Sequence, residues 1–256
     1  MAELDDKLAR DRWMELERKV RSQTPARLLQ GRSGQAYRTE TQMELREAHA
    51  AARDAVQTEF SLSIDLNSGL VRDWKLFEVH SQAKNKEEYL LRPDLGRRLS
   101  EDSQPEILER CSKNADLQIV IGDGLSVTAV IKQVPALLPL LRDQAVVHGW
   151  KLGTPFVVRY CRVGILNEIG DLLGPKVVAL LIGERPGLAT AESLSAYMAY
   201  KPKSGDTDAN RNLISNIHAR GVLPADAVTR IVELATAMMK AQMSGCLLRE
   251  ESRRIE

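Results

Sequence analysis

Asp123, Arg162 and Glu184 each stand directly after an apolar run, where a folded domain could present them to a ligand. Asp123 lies in Gly122-Asp123-Gly124-Leu125-Ser126, Arg162 in Tyr160-Cys161-Arg162-Val163, and Glu184 in Gly183-Glu184-Arg185-Pro186-Gly187. A carboxylate in such a place can accept hydrogen bonds from ligand amides or hydroxyls. A guanidinium can meet a phosphate through two parallel N–H bonds. Each residue also has a plainer reading: Glu184 can pair with Arg185, Asp123 with another charge, and Arg162 can be a solvated cation at a strand end. The glycines allow positive φ and close backbone approach, and they equally suit a strand-to-helix turn. Gly122-x-Gly124 is only the start of the dinucleotide fingerprint G-x-G-x-x-G, because Val127 stands where the third glycine belongs. His49, His80, His148 and His218 have no second histidine or cysteine at metal-ligand spacing, and Cys111, Cys161 and Cys246 form no C-x-x-C pair. Ser193 and Ser195 lie in Glu192-Ser193-Leu194-Ser195, not in a G-x-S-x-G elbow. There is no P-loop, no triad and no paired carboxylate in a recognisable setting. The chemistry is therefore expected from a cofactor or from another subunit.

The elements that would position these residues follow from periodicity. Leu117 to Ile121, Pro155 to Tyr160 and Val177 to Ile182 are continuous apolar, β-rich runs, and Ser195 to Tyr200 is a candidate fourth strand. Helical segments separate the first three. After Gly124 a helix is expected, with Pro135 and Pro139 marking a break or a late start. A short helix over 168–173 closes on Gly174-Pro175. A long one from Pro224 to about Ser244 carries Val228, Ile231, Val232, Leu234, Ala235, Met238 and Met239 at helical spacing. Continuous apolar strands alternating with helices predict an α/β fold: a doubly wound, mostly parallel, Rossmann-like sheet covered on both faces. Ligands in such sheets bind beyond the carboxyl ends of the strands, which is where Asp123, Arg162 and Glu184 fall. Residues 1–60 read as an N-terminal helical arm, with helices over 4–21 and 41–60 and a loop at Pro25-Ala26-Arg27 and Gly31–Gly34. The arm is open to two roles, a layer on the chain's own domain or a clamp on a partner. Residues 61–115 read as a transition region, with a short strand at Glu88-Tyr89-Leu90-Leu91 and a helix from about Gly96 to Lys113 interrupted near Pro105. Residues 116–256 form the main domain.

Composition excludes several classes. The chain has 256 residues with 36 basic and 35 acidic side chains, a net charge of +1, which gives no basic excess for nucleic acid. The runs Arg92, Arg97, Arg98 and Arg249, Arg253, Arg254 read as solvated surface. Aromatic content of 4% argues against stacking platforms for single strands. An odd set of three scattered cysteines suits a reduced cytoplasmic setting. Residues 1–13 are charged throughout and lack the apolar stretch of a secretory signal. The longest apolar run, Val177 to Ile182, is far too short to span a bilayer.

A series of motifs then recurs in order: Arg92-Pro93-Asp94-Leu95-Gly96-Arg97-Arg98-Leu99, Val120-Ile121-Gly122-Asp123-Gly124-Leu125-Ser126, Gly153-Thr154-Pro155-Phe156 with Val158-Arg159-Tyr160, Ile169-Gly170, and Leu173-Gly174-x-Lys176-Val177-Val178. Gly183-Glu184-Arg185-Pro186-Gly187-Leu188, Glu192-Ser193-Leu194-Ser195 and Ile214-Ser215-Asn216-Ile217-His218 complete it. From about residue 88 onward the chain resembles the ethanolamine ammonia-lyase small subunit, and it matches loosely around Gly31–Gly34. The resemblance implies a heteromeric lyase dependent on adenosylcobalamin. In it a TIM-barrel large subunit binds ethanolamine, while the small subunit closes over the cobalamin. Homolysis of the cobalt–carbon bond starts the radical conversion of ethanolamine to acetaldehyde and ammonia. The resemblance places cobalamin contacts at Val163, Glu184 and Leu213, the last through backbone or shape. It also implies base-on binding, and none of the four histidines lies in the D-x-H-x-x-G setting of a lower axial ligand. It implies a cytoplasmic protein, in some relatives enclosed in a bacterial microcompartment. Two other functions compete: a non-catalytic structural or interaction subunit, and a self-sufficient Rossmann-like nucleotide-binding enzyme. The latter needs a catalytic set that the sequence lacks.

Overall fold

The computed structural model describes residues 2–24 and 26–248, with side chains from residue 11 onward. Pro25 and the run Arg249, Arg253, Arg254 lie outside the described residues. The chain opens with α1 (Ala2–Gln23), the short antiparallel pair β1 (Arg32–Ser33) and β2 (Ala36–Tyr37), and α2 (Thr39–Gln57). The Gly31–Gly34 loop is thus a small hairpin, with Gly34 at φ 61° in its turn. Trp13, Met14 and Leu16 of α1 are exposed, whereas α2 lies against the main body and buries Ala55.

Two short helices, α3 (Leu62–Asp65) and α4 (Ser68–Trp74), lead into β3 (Glu78–His80), a strand not expected from the sequence. The segment expected as a strand at 88–91 is instead helical, α5 (Lys86–Leu91). Asn85 caps it by accepting the Glu88 N–H at 2.9 Å, and Glu87 and Glu88 sit in the first turn, where the helix dipole favours acids. A short apolar run is ambiguous by periodicity alone, and here the cap decides. The helix expected over 96–113 is also different. Leu95–Arg97 is a 3-10 turn, residues 98–100 are not helical, and α6 spans Ser103–Arg110. Pro105 lies in the first turn of α6, where its missing N–H costs nothing.

The sheet then takes shape with β4 (Leu117–Gly122), α7 (Val127–Val147), β5 (Phe156–Arg159), α8 (Ile165–Leu173), β6 (Val177–Gly183), β7 (Leu194–Tyr200), β8 (Asn212–Ile217) and α9 (Pro224–Ala241). Strand order is β3-β5-β4-β6-β7-β8. The first four strands pair parallel, and β7 and β8 are added antiparallel. The α/β class and the mostly parallel sheet expected from the sequence are what the chain adopts. The antiparallel edge arises because no helix separates β6 from β7, and a parallel return needs a crossover.

Alternation along the strands builds two cores. Leu117, Ile119 and Ile121 of β4 and Val177, Ala179 and Leu181 of β6 pack with α7 and α9 on one face. Val120 of β4 and Val178, Leu180 and Ile182 of β6 pack with Ile107 and with Ile165, Leu166, Ile169 and Leu173 of α8 on the other. Helix α7 runs unbroken through Pro135 and Pro139, contrary to the expected break. Each internal proline costs about 3 kcal/mol. Val134, Leu137, Leu138 and Leu141 are fully buried, and each such side chain contributes about 1.5–3 kcal/mol. Pro139 is exposed and Pro135 half-buried, so both rings lie away from the fully buried face of the helix. Helix α9 ends at Ala241 with Gln242 in the left-handed region, a little before Gly245.

Candidate functional site

Strand β4 runs into α7 across one face of the sheet, and β5 runs into α8 across the other, so the chain order reverses around β4. The ends of β4, β5 and β6 therefore open a crevice at a topological switch point. A pocket of about 290 Å3 lies there. The structure places Val163, just beyond β5, Glu184, just beyond β6, and Leu213, on edge strand β8, all on its wall. Arg162 and Tyr197 line it too, and with Val163 and Leu213 they continue into an open cleft of about 880 Å3 bounded by Arg97, Arg98 and Arg211.

Glycine makes the crossing of the loops possible. Gly124 is at φ +59°, and a Cβ there would stand 2.3 Å from the Gly183 carbonyl oxygen. A Cβ on Gly183 would stand 2.0 Å from the Ser126 carbonyl oxygen. The Leu125 N–H donates to the Gly183 carbonyl at 3.1 Å, which ties the β4 and β6 ends together.

Glu184 does not pair with Arg185. Its Oε2 accepts the Ser193 hydroxyl at 2.8 Å, and its Oε1 accepts the Ser195 hydroxyl at 2.5 Å and the Asn216 N–H at 2.9 Å. Asn216 is held at φ 63°, and its Oδ1 lies 2.8 Å from His218 Nε2. The Arg220 N–H lies 3.2 Å from His218 Nδ1. A backbone N–H can only donate, so Nδ1 is the acceptor and Nε2 carries the proton. Burial and Arg220 hold the His218 pKa below its ordinary value, against the opposing pull of Glu184 and Glu192.

Asp123 is not a surface charge. It is wholly buried, with Oδ2 accepting the Tyr160 N–H and Oδ1 the Cys161 N–H, both at 2.9 Å. Burial pushes its pKa up, while Lys86 and the N–H groups of Cys161, Tyr160 and Gly124 pull it down. Lys86 is itself buried, its pKa lowered by desolvation against the opposing pull of Asp123 and Glu59. Arg162 is half-buried and held in place. Its guanidinium lies 4.2 Å over the Tyr89 ring, and one of its nitrogens donates to the Tyr89 carbonyl at 3.2 Å. The Tyr89 hydroxyl donates to the Cys161 carbonyl at 3.0 Å, and desolvation raises its pKa well above the ordinary value.

Sequence reasoning missed Lys86, Tyr89 and Tyr197 as parts of the site. For the first two the available signal was Asn85 as a helix cap. Tyr197 carries no local signal, because its place on the wall depends on β7 lying beside β6. Among the described residues no cluster of three metal-ligating side chains occurs, and no histidine lines the pocket or the cleft.

Fold and pocket together define an α/β protein with a strand-end pocket walled by charged and apolar side chains. The family of the ethanolamine ammonia-lyase light chain (EutC) matches residues 12–249. The ethanolamine ammonia-lyase small subunit of Clostridium perfringens is 41% identical over 242 residues, covering 94% of this chain and 79% of the relative. That of Fusobacterium nucleatum is 41% identical, covering 89% and 75% respectively, and that of Clostridium acetobutylicum is 40% identical, covering 90% and 93%. The chain belongs to the ethanolamine ammonia-lyase light chain family.

Proposed function

We propose that this chain is the small subunit of an adenosylcobalamin-dependent ethanolamine ammonia-lyase, and that its strand-end pocket covers the cofactor while a TIM-barrel large subunit binds ethanolamine. The observation that carries this reading is the convergence of Val163, Glu184 and Leu213 on one pocket wall from three separate segments of the chain. Family membership supports the lyase and the partner subunit.

The residues fit the group. A corrin ring is broad and apolar, with amide side chains at its rim. A pocket of about 290 Å3 opening into a cleft of about 880 Å3 suits a wall against such a ligand better than a closed cage. Val163 and the exposed Leu213 supply apolar contact. A carboxylate has about four lone-pair sites, and Glu184 uses three on Ser193, Ser195 and Asn216. The remaining one is open to a ligand N–H. When bound, adenosylcobalamin supplies the radical by homolysis of its cobalt–carbon bond. The chain's own work is to bind and orient that group and to keep water from it, which protects reactive species from side reactions.

Replacing Glu184 by Ala tests the pocket. In the assembled enzyme the apparent affinity for adenosylcobalamin is expected to fall by about 5- to 150-fold, the equivalent of ~1–3 kcal/mol for an unmatched polar group. Unchanged cofactor dependence would favour the structural-subunit reading.

A further inference from the structure

Asp123 is the most deeply buried charge at the strand ends, and nothing proposed above uses it. Its side chain comes from the end of β4 and reaches across to the segment after β5. Each oxygen serves a different N–H, Oδ2 that of Tyr160 and Oδ1 that of Cys161. Only a carboxylate can do this, since an amide in its place would turn an NH2 toward one of the two donors. Tyr160 is held at φ 55°, a conformation that side-chain-bearing residues rarely adopt. The rest of the segment is tied as fully. Ser81 donates to the Tyr160 carbonyl at 2.9 Å, Tyr89 donates to the Cys161 carbonyl at 3.0 Å, and the Arg162 N–H donates to the Gly96 carbonyl at 2.7 Å.

The counter-charge is placed with equal economy. Lys86 is buried at the start of α5, and its Nζ makes no hydrogen bond. It offsets the carboxylate's charge without competing for the oxygens that hold the backbone. Helix α5 also carries Tyr89, whose ring centroid lies 5.4 Å from the Lys86 Nζ and whose hydroxyl ties the helix to the Cys161 carbonyl.

We propose that Asp123 is a positioning residue for cofactor binding: its two carboxylate oxygens fix the Tyr160–Val163 segment so that Arg162 and Val163 form the pocket wall. This rests on the cofactor reading of the pocket. The test is Asp123→Asn in this chain assembled with its large subunit, titrated with adenosylcobalamin and, separately, with ethanolamine. The expected result is a rise of about tenfold or more in the cofactor concentration giving half-maximal rate, with the KM for ethanolamine and the kcat at saturating cofactor retained. A variant that only loses thermal stability, with cofactor dependence unchanged, overturns the proposal. Glu184→Ala run in parallel separates the two levels. If it shifts while Asp123→Asn does not, the pocket stands and the positioning role falls; if neither shifts, both fall. Should Asp123→Asn fail to assemble, hydrogen exchange in the unaltered, cofactor-free complex decides. The Tyr160 and Cys161 amides are expected to exchange as slowly as those of β4. Exchange as fast as in the 187–191 loop would overturn the proposal.

Discussion

The Glu184 carboxylate is part of a chain of contacts rather than a lone charge. Ser193 and Ser195 hold it from β7 and its approach, and the Asn216 N–H holds it from β8. His218 in turn fixes Asn216 in its left-handed conformation and accepts the Arg220 N–H. Protonating Nδ1 would turn that acceptor into a donor and break the turn. Because the folded-state pKa of His218 is depressed, the unfolded chain binds the extra proton first as pH falls. The stabilisation from this residue is therefore complete above the ordinary histidine pKa of about 6.5, and it is lost as pH falls below it through the folded value. The difference in unfolding midpoint between the native chain and His218→Gln should shrink as pH falls from 7.5 toward 5, and a pH-independent difference would contradict this account. At this scale the sequence was only partly legible. The glycine-flanked acids could be located after their strands, but their partners could not. Asp123 turned inward to its neighbour's backbone, and Glu184 turned to serines that were noticed only for lacking an elbow. Both outcomes depend on contacts made across strands, which no local spacing encodes.

Apolar continuity marked β4, β5 and β6 clearly, because strands buried on both faces carry an unbroken apolar run. Edge strands carry a weaker mark. β8 buries only Ile214 and Ile217 fully, and β3 is three residues long, so neither stood out. Helix α7 shows packing overriding a local rule. Pro139 removes the N–H that would reach the Pro135 carbonyl, yet the helix continues because its buried face holds it. Pro139 is exposed, so replacing it loses little packing. Pro139→Ala should therefore raise stability by about 1–3 kcal/mol, measured by denaturant unfolding. A destabilised variant would mean that the proline has a packing role hidden by its exposure.

At the scale of the whole molecule, the site is an open wall rather than a closed cage. Val163, Glu184 and Leu213 line a pocket that opens into a broad cleft, and Leu213 is 46% exposed. Among the described residues no helix is long and apolar enough to cross a membrane. Membership of the ethanolamine ammonia-lyase light chain family names the reaction and the partner subunit to test. The most direct measurement is ammonia release from ethanolamine by this chain, with and without the large subunit and adenosylcobalamin. The account predicts ammonia only when all three are present. Ammonia from this chain alone, or from the large subunit and cofactor at an undiminished rate without it, would contradict a shared site completed by this subunit.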